Sequence, residues 1–193
     1  MKKVILLCLC LMLCLPMLAM AETAEAKRYT VDFGTFTMSL GENDQYQVAE
    51  TMTNNTVYAI IYTDYDPSAL LHDSINVVWS TDDVPGEIAM VGGIQKYAEL
   101  ILQNAHTQYT TMGIKMTDAK VINAAFEDSE GAPLTYCVMD YTAAGVDLVT
   151  PLYQMQLFVC DAEDGNYIFT LSSTTLDGLE KLLAYTENID FKE

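Results

Sequence analysis

The chain has 193 residues, with 27 acidic against 9 basic, and a formal net charge of −18. Phosphate backbones and anionic lipid surfaces are held by clustered Lys and Arg, so this balance argues against a nucleic-acid partner and against an anionic membrane surface. It is compatible with a positive partner, a divalent cation or plain solubility by self-repulsion, and the dispersal of the acids favours the last.

The chain opens with Lys2 and Lys3, an apolar run from Val4 to Met20, and Ala19-Met20-Ala21 before the first acid, Glu22. A positive start, an apolar middle and a small-residue end are the layout of a secretory signal peptide, residues 1–21, cleaved after Ala21. Pro16 breaks the apolar helix and lets Met17 to Ala21 run extended into a peptidase; the alternative is an uncleaved anchor. Cys8, Cys10 and Cys14 lie inside the apolar run, each after a residue too large for a lipidation site. Cleavage removes two lysines and leaves 7 basic against 27 acidic residues, a net charge of −20. The released chain is expected to be extracytoplasmic, with no stable membrane insertion. Residues 22–28 read as a disordered segment, and 29–193 as a single α+β domain.

Tyr29, Val31 and Phe33 alternate as a strand does, and the phase flips after Gly34 to Phe36, Met38 and Leu40, which predicts a bulge or sharp bend. Gly41 to Asp44 reads as a turn, Tyr46 and Val48 as a short strand, and Thr53-Asn54-Asn55 as a further turn. Val57 to Tyr62 is apolar at both parities, as a central strand is. Asp66-Pro67-Ser68 predicts a short helical turn through Leu71. Ser74 to Ser80 predicts a strand with Ile75, Val77 and Trp79 on one face, broken by Asp82 to Gly86. The longest helix starts between Glu87 and Gly93 and stops before Gly113, with Ile94, Tyr97, Ala98, Ile101, Ala105 and Tyr109 as its apolar stripe.

The second half reads as a four-strand meander over Ala119–Glu127, Leu134–Thr142, Leu152–Cys160 and Tyr167–Ser173. Its turns are Asp128 to Gly131, Gly145 to Pro151, and Asp164-Gly165-Asn166. A last helix over Leu176–Glu187 would be capped by Thr174 with Asp177 in a capping box, with Leu176, Leu179, Leu183 and Thr186 on one face and Leu182 flanking it. The fold class is α+β: an antiparallel sheet with a C-terminal meander, flanked by two main helices.

Only Cys137 and Cys160 survive cleavage. In an oxidising compartment they suggest one disulfide. Placed opposite each other in a hairpin, they would put the turn near Asp147 to Thr150 and Met139 opposite Phe158. Two reduced, buried cysteines are the open alternative. No set of residues is assigned as catalytic, cofactor-binding or metal-binding. His72 and His106 stand apart in sequence, and there is no H-E-x-x-H, C-x-x-C, G-x-S-x-G or phosphate loop. Asp161 to Asn166 is acidic but lacks the twelve-residue loop of a calcium site and reads as a hairpin turn. Asp64 and Asp66 are candidates for a carboxylate pair but sit two apart beside a proline turn. Trp79 reads as core. Tyr58, Tyr62, Tyr136, Tyr141 and Tyr153 lie on strands, where they pack a core or line a binding face.

The strand Ser74-Ile75-Asn76-Val77-Val78-Trp79, the long helix after it, the meander, and Gly178-Leu179-Glu180-Lys181-Leu182-Leu183 before Ile189-Asp190-Phe191 resemble the PsbP-like group. That group includes the extrinsic P protein of the oxygen-evolving complex, the eukaryotic Ran-release factor and bacterial envelope proteins of DcrB type. Where many members have a proline and tryptophan after the first strand, this chain has Leu40-Gly41-Glu42. The resemblance implies an αβα sandwich and binding or accessory roles, without a site residue to carry over. The resulting expectation is an exported, non-enzymatic envelope or extracellular protein that binds an unknown protein or small ligand without a cofactor. The alternatives are a secreted carboxylate-dependent hydrolase and a divalent-cation-binding protein.

Overall fold

The computed structural model describes residues 29–51, 56–80, 83–123, 132–161 and 165–192. Among the described residues ten strands and three α-helices follow in the order β1 (Tyr29–Asp32), β2 (Phe36–Leu40), β3 (Gln45–Thr51), β4 (Thr56–Tyr62), β5 (Ser74–Ser80), α1 (Val84–Val91), α2 (Ile94–Thr111), β6 (Lys115–Asn123), β7 (Leu134–Asp140), β8 (Val149–Asp161), β9 (Gly165–Ser173), α3 (Leu176–Thr186) and β10 (Ile189–Phe191). All ladders are antiparallel. A seven-stranded sheet runs β3-β4-β5-β9-β8-β7-β6, and a second sheet runs β1-β2-β10. The expected α+β class and the meander are both present.

Side chains alternate across a strand, so the register sorts the two faces of the large sheet. Ile61, Ile75, Val77, Tyr167, Phe169, Leu171 and Met155 point to one face. There they meet Val31, Phe36, Met38 and Leu40 of the small sheet and Leu179 and Leu182 of α3 in one core. Tyr97, Ile101, Ala105 and Tyr109 of α2 cover Met116, Cys137 and Met139 on the other face. Val84 of α1 packs there on Val78 and Ile168. The chain is therefore layered helix, sheet, then helix with a second small sheet.

Several expected elements need correction. Strand β5 ends at Ser80, as expected, but α1 already begins at Val84, before the expected helix start. Asp83 caps it, accepting from the Gly86 N–H at 3.0 Å, and Pro85 sits in its first turn, where no N–H is needed. Gly92 and Gly93, with φ of +95° and +103°, end α1 and separate it from α2. The segment after Pro67 forms only a turn, held by Asp66 Oδ1, which accepts from the Ser68 N–H and hydroxyl. Strand β6 begins at Lys115, four residues before the expected start, because Ile114 and Met116 bury against α2. The cap of α3 is Thr175, not Thr174: its Oγ1 accepts from the Gly178 N–H at 3.0 Å. Leu176 is exposed, and Leu179 and Leu182 make the buried face of α3. Strand β10, which the sequence pattern does not predict, pairs with β2. The turns at 53–55 and 128–131 lie outside the described residues, as do 162–164 of the last hairpin.

The turn before β3 rests on one buried carboxylate. Asp44 is buried, and its two oxygens accept from the N–H groups of Gly41 and Asp64. Asp64 carries a left-handed φ of +46°, which this bond holds in place. In Asp44→Ala both donors lose their partner. The expected loss is about 2–4 kcal/mol in urea unfolding, with Asp44→Asn recovering part of it.

Candidate binding surface

The helix-facing side of the large sheet carries two cross-strand rows that contain no charge. One row runs Ser74, Ser172, Gln154, Thr135 across β5, β9, β8 and β7. The next runs Asn76, Thr170, Gln156. All seven are buried. Gln154 Nε2 donates to Ser172 Oγ at 3.1 Å, Gln156 Nε2 to Thr170 Oγ1 at 3.4 Å, and Thr135 Oγ1 to the Gln154 carbonyl at 3.4 Å. Asn76 Oδ1 and Gln156 Oε1 have no hydrogen-bond partner among the described residues. Buried polar groups are ordinarily paired, so an unpaired amide oxygen marks a place where a water or ligand group belongs. A cavity of about 10 Å³ adjoins Gln156, lined also by Ala98, Ile101, Pro133, Thr135 and Gln154. That is room for about one water molecule.

The first row continues to Tyr62, which pairs with Ser74. There it opens onto an aromatic cluster on the β4–β5 connection. Tyr65 stacks on His72 at 4.5 Å between centroids, with Tyr62 at 5.7 Å from His72 and 6.0 Å from Tyr65. The three rings are half-buried, and Leu70, in the same connection, is 66% exposed. Burial holds His72 below its usual range, although Asp66 and Asp73 pull the other way. His72 is therefore a neutral ring at neutral pH, suited to stacking and hydrogen bonding. The hydroxyl and N–H of Ser68 hold the Asp66 carboxyl low.

The remaining candidate residues scatter. His106 is exposed on α2, far along the chain from His72. Trp79 is half-buried against the main core, as expected. Tyr136 and Tyr153 pair across β7 and β8, rings 5.0 Å apart, with the Lys120 ammonium 5.1 Å from the Tyr136 ring. The side chain of Tyr58 lies outside the described residues. No group of three His, Cys, Asp or Glu converges among the described residues.

The two cysteines are not opposite each other. Cys137 pairs with Leu152, and Cys160 pairs with Asn166 on the other side of β8. The hairpin turns through a 3₁₀ turn at Thr142–Ala144 and Gly145, earlier than Asp147 to Thr150, so Val149 to Pro151 are already strand. Cys160 then lies eight residues along β8 from the partner of Cys137, about 26 Å at strand rise. A disulfide needs Cα atoms within about 7 Å. Cys137 is a free, buried thiol, its Sγ 3.6 Å from Met139 Sδ.

The polar rows escaped the sequence reading because Ser74 and Asn76 look like the outward half of an alternating strand. One signal does mark them. Strand β5 and the whole of β9 carry no charged residue, and β8 carries none before Asp161. Adjacent strands without charge are covered on both faces.

This chain has a PsbP-like fold. It matches the solution structure of cyanobacterial PsbP from Synechocystis with a TM-score of 0.52 at 10% identity, over 92% of this chain and 99% of that one. The crystal structure of LpqN, involved in cell envelope biogenesis of Mycobacterium tuberculosis, aligns with a TM-score of 0.36 at 14% identity, over 86% of this chain and 89% of that one. No family model and no curated protein matches the chain. No helix among the described residues is long and apolar enough to cross a membrane.

Proposed function

We propose that this is an exported, non-enzymatic binding or accessory protein of the envelope or extracellular space. Residues 1–21 are its cleaved signal, 22–28 a tail and 29–193 one domain. The observation that carries the binding reading is the Tyr62, Tyr65 and His72 cluster, placed at the open end of a buried polar row with Leu70 exposed in the same connection. Half-buried aromatic rings packed on one another offer contact area at little entropic cost. Export is supported by the charge and hydropathy layout of residues 1–21.

Two measurements test this. Mass spectrometry of the chain recovered outside the cytoplasm should show Glu22 as its first residue; a chain retaining Met20 sinks cleavage after Ala21, and a chain found only in the cytoplasm sinks the export reading. A photo-crosslinking residue at Leu70 should give a discrete adduct in cells, while one at the exposed Ile122 on β6 should not. Equal labelling at both positions, or none at Leu70, removes the cluster as a contact surface.

A further inference from the structure

The two outer edges of the seven-stranded sheet are built differently. Edge β6 carries Lys115, Lys120 and Asp118, and a register shift between Thr117 and Lys120 where Asp118 takes a φ of +53°. Lysines and a bulge are how a sheet edge is closed to further pairing. Edge β3, Gln45-Tyr46-Gln47-Val48-Ala49-Glu50-Thr51, has no lysine and no proline. Its pairing with β4 runs through seven consecutive residues without a shift. Among the described residues its other side pairs with nothing. Tyr46 is 42% exposed and Val48 46%, both on the face that continues the main core. A straight, regular edge of this length with exposed apolar side chains is a template for strand addition.

Charge decides what fits there. From Tyr29 to Gln95 the chain holds ten acids and not one Lys or Arg. That stretch supplies β1 to β5; within β3, β4 and β5 the one charged residue is Glu50, and the other acids lie mostly in the connecting turns, with Asp32 of β1 paired to Lys192. Exposed Glu42 and Asp64 lie at the Gln45 end of the strand, where Asp44 joins their two turns. A second copy would bring the same unbalanced charge to the seam, whereas a cationic strand is drawn to it.

We propose that β3 docks an extended basic peptide segment by strand addition. Its alternate apolar side chains lie on Tyr46 and Val48, and its Lys or Arg residues meet the exposed acids of the turns at the Gln45 end, Glu42 and Asp64. The inference stands on the sheet edge and the charge distribution, so it survives or fails separately from crosslinking at Leu70.

The probe is a fluorescein-labelled peptide alternating Val and Lys, compared with its Val–Glu counterpart, titrated into the full chain. The Val–Lys peptide should bind at least ~10-fold more tightly, and binding should weaken steeply between ~50 mM and ~500 mM salt. Val48→Lys should weaken it at least ~10-fold, while Val48→Glu, equally disruptive to the apolar contact, should weaken it far less. Backbone amide shifts should concentrate on 45–51, with slowed exchange at alternate residues. Equal effects of Val48→Lys and Val48→Glu, shifts spread over the acidic surface, or no binding would each overturn the proposal. So would a chain whose β3 amides become protected as its own concentration rises, since a second copy would then hold the edge.

Discussion

Phe169→Ala is expected to cost about 3–5 kcal/mol, the largest single loss in this chain. Phe169 is fully buried and central to the face where the two sheets meet. Its ring lies 6.0 Å from Phe36 of β2, 6.3 Å from Tyr167 and 6.4 Å from Phe191 of β10. Truncation leaves a cavity between layers that come from different sheets. The strands on each side are held by their own ladders and cannot close the gap freely, which places the cost toward the upper end. Urea unfolding followed by circular dichroism reads the loss, and Tm should fall by about 8–15 °C for a domain of this length. A change below ~1 kcal/mol would mean that the small sheet does not share a core with the large one. Phe36→Ala should resemble it, and the double variant should lose less than the two together, because the rings share one contact.

Sequence pattern and structure agree where a residue's fate is decided by neighbours close in the chain. The stripe Tyr97, Ala98, Ile101, Ala105 and Tyr109 is buried as its spacing requires, and Ser74 to Ser80 is a strand with Ile75 and Val77 inward. Readings failed where a distant element overrides local preference. Val84 to Gly86 read as part of the break after β5, but Asp83 supplies the cap that lets a helix begin there. Pro151 looks like loop, yet it pairs with Val138 inside β8. That one shift moved the hairpin register and separated Cys137 from Cys160, since register is common to every pair on the ladder. The polar rows were hidden for a related reason. Whether Asn76 and Gln156 face water or the helix layer depends on α1 and α2, which are inserted between β5 and β6 and are not neighbours of either residue in sequence.

Stability is expected to fall steeply above pH 9, and the cause lies beneath the end of α2. Burial pushes the Cys137 thiol up to about 11, and burial raises the phenols of Tyr109 and Tyr141 as well. Proximity adds to this, because charge on Cys137 further disfavours ionisation of both tyrosines. Each group has a higher pKa in the folded chain than in the unfolded one, so folding favours its protonated, neutral form. The contribution is complete below the unfolded pKa and is lost as pH rises through the folded value. For Cys137 that window runs from about 9 to about 11, worth on the order of 2 kcal/mol. The tyrosines extend the loss upward from 10. Self-repulsion of a strongly anionic chain also grows with pH as lysines discharge, but surface repulsion is screened by ~0.5 M salt and a buried thiol is not. The expected result is therefore a fall in unfolding free energy between pH 9 and 11 that persists in salt. It should be flattened by Cys137→Ala and further by Tyr109→Phe, whatever those variants do to stability at pH 7. A slope abolished by salt, or unchanged in the double variant, would place the alkaline transition on the surface and not in this cluster.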